Sequence, residues 1–138
     1  MSQINTIGIF GGGQLGRMLA QAALPLGLRC TFLENAADCP SSVLGAVYTS
    51  AQLAQFAQSA DVFSLEFENT PLAEADELLK TQTLYPPRQA LATAQHRLLE
   101  KALFDELDIP VPAYRRVDSQ ADLAAAVDAL GLPLVVKT

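Results

Sequence analysis

Along the first 90 residues, the spacing of hydrophobic positions alternates between a pattern typical of strands and a pattern typical of helices. This alternation predicts alternating strands and helices. Short apolar runs are typical of buried strands, whereas apolar residues three or four positions apart are typical of helices. The runs that predict strands cover residues 7–10, 29–34, 46–48, 61–68 and 84–85. Helical spacing lies between several of them. The pattern therefore predicts an α/β fold with a doubly wound, mostly parallel, Rossmann-like sheet and a ligand crevice at the carboxyl ends of its strands.

The first helix is predicted to pack on this sheet through its apolar residues. These recur at helical spacing at Leu15, Met18, Leu19, Ala22, Ala23 and Leu26. Two later helices are predicted to begin at capping hydroxyls, one at Ser50 and one at Thr70 followed by Pro71.

The pattern changes after residue 90. One helix is predicted from Ala90 through Leu107, followed by a strand over residues 114–117. A helix capped by Ser119 comes next, and a last strand is predicted over residues 134–137, up to the final residue of the sequence.

Composition narrows the classes of function. Half of the 138 residues are apolar and 17% are charged, which favours one folded core. The net charge is −6 and the basic residues form no cluster, so nucleic acid and anionic membranes are not expected partners. The sequence lacks a long apolar segment and a signal peptide, and a cytoplasmic protein is expected. Cys30 and Cys39 lack the spacing of a disulfide scaffold or a metal site.

The most informative motif is a glycine-rich turn between the first strand and the first helix. Gly11, Gly13 and Gly16 have the G-x-G-x-x-G spacing, which permits a tight turn and close approach of a ligand to the backbone. The unpaired N–H groups of a helix N-terminus attract anions, so a phosphorylated ligand is expected. Glu34 follows the second strand and fits the acid that holds a ribose hydroxyl, so a nicotinamide dinucleotide remains one reading of the turn.

A second motif competes for the same crevice. Glu66 and Glu68 lie two positions apart at the end of a predicted strand, so both carboxylates are expected on one side of the pleat. Polar residues where a strand meets water are the alternative explanation.

Several segments, read in order, resemble one family. They are G-G-G-Q-L-G-R-M, L-E-N-A-A-D-C-P, E-F-E-N-T, A-Q-H-R-L-L-E-K-A-L-F-D-E-L, I-P-V-P and G-L-P-L-V-V-K. Together they resemble the 5-(carboxyamino)imidazole ribonucleotide synthases, ATP-grasp ligases of purine biosynthesis. The resemblance implies a pre-ATP-grasp nucleotide-fold domain over residues 1–94 and the beginning of an ATP-grasp domain over residues 95–138.

The resemblance also implies roles for individual residues. Gln14 and Leu15, in the turn, match positions that touch aminoimidazole ribonucleotide, and Glu66 matches a carboxylate that holds it. Arg97 and Lys137 match an arginine and a lysine that contact ATP. Without the resemblance, both cations would be interpreted as ordinary surface charges.

The activity implied is carboxylation of aminoimidazole ribonucleotide with ATP, bicarbonate and Mg²⁺, and family members are similar to homodimers. The catalytic residues and magnesium ligands are expected beyond Thr138, so the chain is expected to be inactive alone. Three alternatives stay open: an NAD-dependent oxidoreductase, a ligand-sensing module without catalysis, and a related formate-dependent purine ligase.

Overall fold

The structure is a computed structural model that describes residues 4–137. The chain divides between Ala92 and Thr93 into two compact units. The first unit contains a five-stranded parallel sheet in the order β3-β2-β1-β4-β5. Its strands are β1 Thr6–Phe10, β2 Arg29–Leu33, β3 Val47–Tyr48, β4 Val62–Leu65 and β5 Leu84–Tyr85. The predicted α/β fold with a parallel sheet is confirmed.

Three helices lie between these strands, and a fourth follows β5. They are α1 Gln14–Ala23, α2 Leu53–Ala57, α3 Leu72–Leu78 and α4 Arg88–Ala94, with short 3-10 turns at Leu24–Leu26 and Ser50–Gln52. The chain builds β1, β2 and β3 outward in one direction and then returns to place β4 on the other side of β1. In parallel sheets of this kind, ligands bind where the strand order reverses, outside the carboxyl ends of the strands. That position lies here between β1 and β4.

Aromatic side chains fill one face of the sheet. Phe56 of α2 meets Phe10 and Phe63 edge to face, with ring centroids 5.4 and 5.0 Å apart. Phe56 and Phe63 are fully buried, and Leu78 of α3 lies in the same cluster. The opposite face packs Ile9 and Phe32 against small residues of α1. Burial of this size is the main stabilising contribution for a small domain.

The predicted packing face of α1 is confirmed at Ala23 but is wrong for its larger residues. Leu15, Met18 and Leu19 are exposed, Met18 to 61%, whereas the helix buries its small residues against the sheet. Those buried residues are Gly16, Ala20 and Ala23. Small side chains let the helix axis approach the strands closely, as the third glycine of the turn motif requires. Apolar periodicity predicted the helix and the burial of Ala23, but it missed Gly16 and Ala20.

Two predicted caps are also wrong. Thr49, not Ser50, holds the capping position before the 3-10 turn that leads into α2. Thr70 is buried and its hydroxyl donates to the carbonyl of Phe67 at 3.4 Å, while α3 begins two residues later at Leu72. A buried hydroxyl bonds to the acceptor within reach, and here that acceptor belongs to the preceding loop.

Helices are the regular elements in the described part of the second unit. It contains the end of α4, then α5 Arg97–Glu106 and α6 Gln120–Leu130. Two helices separated at residues 95–96 therefore replace the single helix predicted from Ala90. Ser119 caps α6 as predicted, since its hydroxyl accepts the N–H of Asp122 at 3.2 Å.

The strands predicted over residues 114–117 and 134–137 are not formed in the described part of this unit. A strand needs the backbone of a neighbouring strand to bond to, and no such neighbour occurs within residues 93–137. Thr138, which the last predicted strand was expected to reach, lies outside the described residues. The predicted division into domains at residue 94 stays a prediction.

Candidate ligand site at the glycine turn

Gly11, Gly12 and Gly13 turn the chain from β1 into α1. Gly11 has a φ of +106°, a conformation that favours glycine. A Cβ atom on Gly11 would lie 2.6 Å from Glu66 Oε2, and one on Gly16 would lie 2.9 Å from the same oxygen. A Cβ on Gly13 would also collide with the Glu66 carboxylate. The space that the three glycines of the motif leave open is therefore filled by one side chain of the protein.

Glu66 is held there from both ends. It follows β4, and its backbone N–H donates to the carbonyl of Phe10 at 2.9 Å. Its side chain accepts the N–H of Gly13 at 2.8 Å. A carboxylate that accepts a backbone N–H beside a helix N-terminus makes a charge-assisted hydrogen bond and is stabilised by the helix dipole. Glu66 is thus an integral part of the turn.

The carboxylate of Glu34 accepts a hydrogen bond from the neighbouring N–H group of the turn. It follows β2, and its carboxylate accepts the N–H of Gly12 at 3.3 Å. The same carboxylate accepts the N–H groups of Asn35 at 2.8 Å and Ala36 at 3.3 Å. Two consecutive N–H groups of the turn therefore meet two different carboxylates.

Ser41 holds the turn from its other side, and sequence reasoning missed it. The residue is fully buried, although it lies in the irregular connection between β2 and β3. Its N–H donates to the carbonyl of Gly12 at 3.0 Å, and its hydroxyl donates to the carbonyl of Gly13 at 3.3 Å. A serine in a polar loop carries no periodic signal that would mark it as buried. The protein itself therefore bonds both N–H groups and carbonyls of the turn.

A cavity of about 160 Å³ opens at the carboxyl ends of β1, β2 and β4, where the fold predicts a crevice. Apolar side chains and six polar side chains that include two carboxylates surround it. Its lining is Phe10, Gly11, Leu33, Glu34, Asn35, Ser50, Phe67, Asn69, Thr70, Pro71 and Glu74. The polar part of this lining makes the cavity suited to a small ligand that carries hydrogen-bond donors.

The ribonucleotide residues predicted from the sequence lie around this turn. Gln14 and Leu15 open α1 and both are exposed, Leu15 to 51%. Glu66 contacts the turn that precedes them. The pleat argument that placed Glu66 and Glu68 on one side does not apply, because β4 ends at Leu65.

The residues predicted to contact ATP lie in the second unit. Arg97 is the first residue of α5, and its Nη1 lies 3.1 Å from Glu100 Oε2 one turn later. The Arg97 side chain is 45% exposed. Lys137 is exposed.

The pKa of one carboxyl group in the first unit, that of Asp61, is shifted at the end of the sheet opposite the crevice. The N–H groups of Asn5 and Thr6 bond to Asp61 at 2.8 and 2.9 Å and hold the pKa of that carboxyl below its usual value. Asp61 precedes β4, so it lies at the amino end of the sheet.

Within residues 4–137, no three His, Cys, Asp or Glu side chains group as a metal site requires. No helix in that range is long and apolar enough to cross a membrane.

The parallel sheet, the glycine turn and the carboxylate after β4 define a nucleotide-fold domain of a particular class. Residues 4–95 match the family model described as the ribonucleotide synthetase preATP-grasp domain. The chain belongs to this family.

Individual relatives show which enzymes within this family the chain is similar to. The chain is 44% identical over 137 residues to the N5-carboxyaminoimidazole ribonucleotide synthase of Pseudomonas aeruginosa, which covers 96% of this chain and 38% of the relative. The crystal structure of the N5-carboxyaminoimidazole ribonucleotide synthetase from Thermus thermophilus matches 92% of this chain and 37% of that one, with a TM-score of 0.82 and 41% identity. The predicted resemblance to this family of synthases is confirmed.

A third match carries ligands. The structure of the N5-carboxyaminoimidazole synthase from Aspergillus clavatus, in complex with ADP and 5-aminoimidazole ribonucleotide, is 27% identical. It covers 94% of this chain and 37% of that one, with a TM-score of 0.81. The chain thus spans less than two fifths of the length of the relatives that it matches.

Proposed function

We propose that the chain provides the ribonucleotide-binding part of an ATP-dependent N5-carboxyaminoimidazole ribonucleotide synthase, a carbon–nitrogen ligase of purine biosynthesis. The whole enzyme would use ATP and bicarbonate to carboxylate the exocyclic amine of aminoimidazole ribonucleotide, releasing ADP and phosphate. The observation that carries the proposal is the Glu66 carboxylate on the turn before α1, in a chain 44% identical to such a synthase.

Glu66, Gln14 and Leu15 are the proposed contacts of the ribonucleotide. A carboxylate accepts hydrogen bonds from amine or hydroxyl groups and so orients them. Glu66 is itself fixed by the 2.8 Å bond from Gly13, which reduces the ordering that ligand binding would require. Gln14 and Leu15 are exposed on the first turn of the adjoining helix and so are open to a ligand.

Arg97 and Lys137 are the proposed contacts of ATP. A guanidinium offers a planar fork of donors and an ammonium offers a compact charge, and both suit phosphate oxygens. Mg²⁺ would neutralise charge on the transferring phosphate, and no residue of this chain is assigned to hold it. The proposal also includes a homodimer and a cytoplasmic location, and this chain by itself is not expected to turn over.

Isothermal titration calorimetry of the chain with aminoimidazole ribonucleotide, and separately with NAD, tests the binding part. The ribonucleotide is expected to bind more tightly, and Glu66→Ala is expected to weaken it about tenfold or more. Asp38→Asn, which removes an exposed carboxylate after β2, is the matched control and is expected to leave the affinity within about twofold. Tighter binding of NAD would overturn the proposal.

A second assay tests the reaction in the natural protein that carries this sequence. ADP release is expected to require both bicarbonate and aminoimidazole ribonucleotide. Release that formate supports equally well would assign the protein to the related formate-dependent ligase. Glu66→Ala is expected to raise the KM for the ribonucleotide and to leave the KM for ATP nearly unchanged, and an equal rise in both would contradict its assigned role.

A further inference from the structure

The glycine turn has the sequence of a phosphate site, but two of its N–H donors already bond to carboxylates of the protein. In such turns, the N–H groups at the start of the helix point at phosphate oxygens. Here the N–H of Gly13 donates to Glu66 at 2.8 Å and the N–H of Gly12 donates to Glu34 at 3.3 Å. Both donors already bond to an anion that belongs to the protein.

The space beside the glycines is filled as well. The Glu66 carboxylate lies against Gly11, Gly13 and Gly16, within 3 Å of the Cβ positions of all three. This is the close approach to backbone that missing side chains normally leave to a ligand. A phosphate at this point would have to displace Glu66 or lie beside it. Two like charges about 4 Å apart repel strongly even when partly solvated.

We propose that Glu34 and Glu66 close the glycine turn to phosphate. The motif therefore selects against phosphate groups and dinucleotides at this point, and Glu66 is the specificity-determining residue. The groups that the turn admits are hydrogen-bond donors such as amines and hydroxyls, which bind the carboxylates. Only this last point rests on the proposed function, because a donor group of aminoimidazole ribonucleotide is the expected example.

The exclusion has a direct test that does not use the ribonucleotide. Inorganic pyrophosphate is titrated into the ¹⁵N-labelled chain, and the amide signals of Gly12 and Gly13 are followed by NMR. The wild-type chain is expected to show no saturable shift of these two signals. Glu66→Ala frees the N–H of Gly13 and removes the charge, and it is expected to bind pyrophosphate at least about tenfold more tightly than the wild type.

Two further variants separate charge from occupancy. Glu66→Gln removes the charge but keeps an oxygen that accepts the N–H of Gly13, so its affinity for pyrophosphate is expected to lie between those of the wild type and Glu66→Ala. Asp38→Asn changes the net charge by the same amount away from the turn's hydrogen bonds, and it is expected to behave like the wild type.

Three results would overturn the proposal. One is a saturable shift of Gly12 and Gly13 in the wild type. Another is the absence of any gain in a Glu66→Ala chain whose other signals keep their positions. If Glu66→Ala does not fold, an unchanged affinity of Glu66→Gln counts against the proposal in the same way. Failure of the ribonucleotide to bind in calorimetry would overturn the proposed function and leave these pyrophosphate results unaffected.

Discussion

The two units of the chain differ in what holds them together. In residues 4–92, Phe10, Phe32, Phe56 and Phe63 are at most 2% exposed and lie on both faces of a parallel sheet. In residues 93–137, Ala126 is the one described residue that is buried. The first unit therefore has a core of its own, whereas the second is shaped by signals within each helix.

This difference shows that the helices of the second unit depend on signals within their own sequence. The second unit begins α6 at the cap of Ser119 and ends it at Gly131, which has a φ of +77°. These are local devices that act without tertiary contacts. The apolar side chains of α5, such as Leu99 and Leu103, remain exposed. Helices without a buried face depend on length and capping and are marginal in water.

The largest expected effect is loss of the core of the first unit. Phe63→Ala is expected to lower the free energy of unfolding by about 3–5 kcal/mol, because it removes a fully buried ring from the sheet. Leu103→Ala, at a side chain 39% exposed in α5, is the comparison and is expected to cost less than about 1 kcal/mol. Urea unfolding followed by circular dichroism measures both. Equal losses would show that the contrast between the units is wrong.

The next effect concerns the contact between α1 and the glycine turn. Gly16→Ala is expected to cost about 1–3 kcal/mol, because the added Cβ would lie 2.7 Å from the carbonyl oxygen of Gly11. Gln21→Ala, on the exposed side of the same helix, serves as the control and is expected to change stability by less than about 0.5 kcal/mol. The same urea experiment applies. A Gly16→Ala chain as stable as the control would mean that the helix is not seated as closely as described.

A smaller effect belongs to the second unit. Ser119→Ala removes the side chain that accepts the N–H of Asp122 and is expected to destabilise α6 by about 1 kcal/mol. Amide hydrogen exchange measures this directly: the amides of α6 should exchange faster while those of β1 and β2 keep their rates. Gln120→Ala is the control. Faster exchange throughout the sheet would show that the two units unfold together.

The smallest effect is a pH dependence of the first unit. The N–H groups of Asn5 and Thr6 lower the pKa of Asp61 below its unfolded value of about 3.9. The resulting stability is present above the unfolded pKa and is lost as the pH falls through the lower folded pKa. Asp61→Asn is expected to reduce the acid sensitivity of the urea midpoint below about pH 4, and Asp38→Asn is expected to leave it unchanged. Identical acid limbs in the wild type and Asp61→Asn would contradict the prediction.

The sheet was predictable because its strands are short apolar runs, and such runs signal burial on both faces. The packing face of α1 was not, since periodicity favours Leu15 and Met18 over the small residues that the turn motif needs against the sheet. The strands predicted after residue 110 do not form, because an apolar run such as residues 134–136 can pair only when a neighbouring strand exists.

The candidate site was predictable in position but not in detail. The glycine spacing and the strand ends predicted a crevice at the carboxyl ends of the strands, where a cavity lies, but Glu66, expected at its mouth, is not among the residues that line it. The hydrogen bond from Gly13 to Glu66 depends on how far β4 extends, and the sequence pattern predicted that strand three residues too long. The burial of Ser41 depends on the path of a loop, which no period describes.

The position of Cys39 allows motion at the glycine turn to be measured by chemical labelling. Its thiol is buried and lies where a Cβ on Gly12 would be only 2.6 Å away, so a labelling reagent reaches the sulfur when the turn or the segment that carries Cys39 moves. Burial raises the pKa of the other thiol, Cys30, which slows its competing reaction. The labelling rate of Cys39 therefore reports local opening where this segment packs on the glycine turn, and a ligand that holds the turn in place is expected to lower that rate.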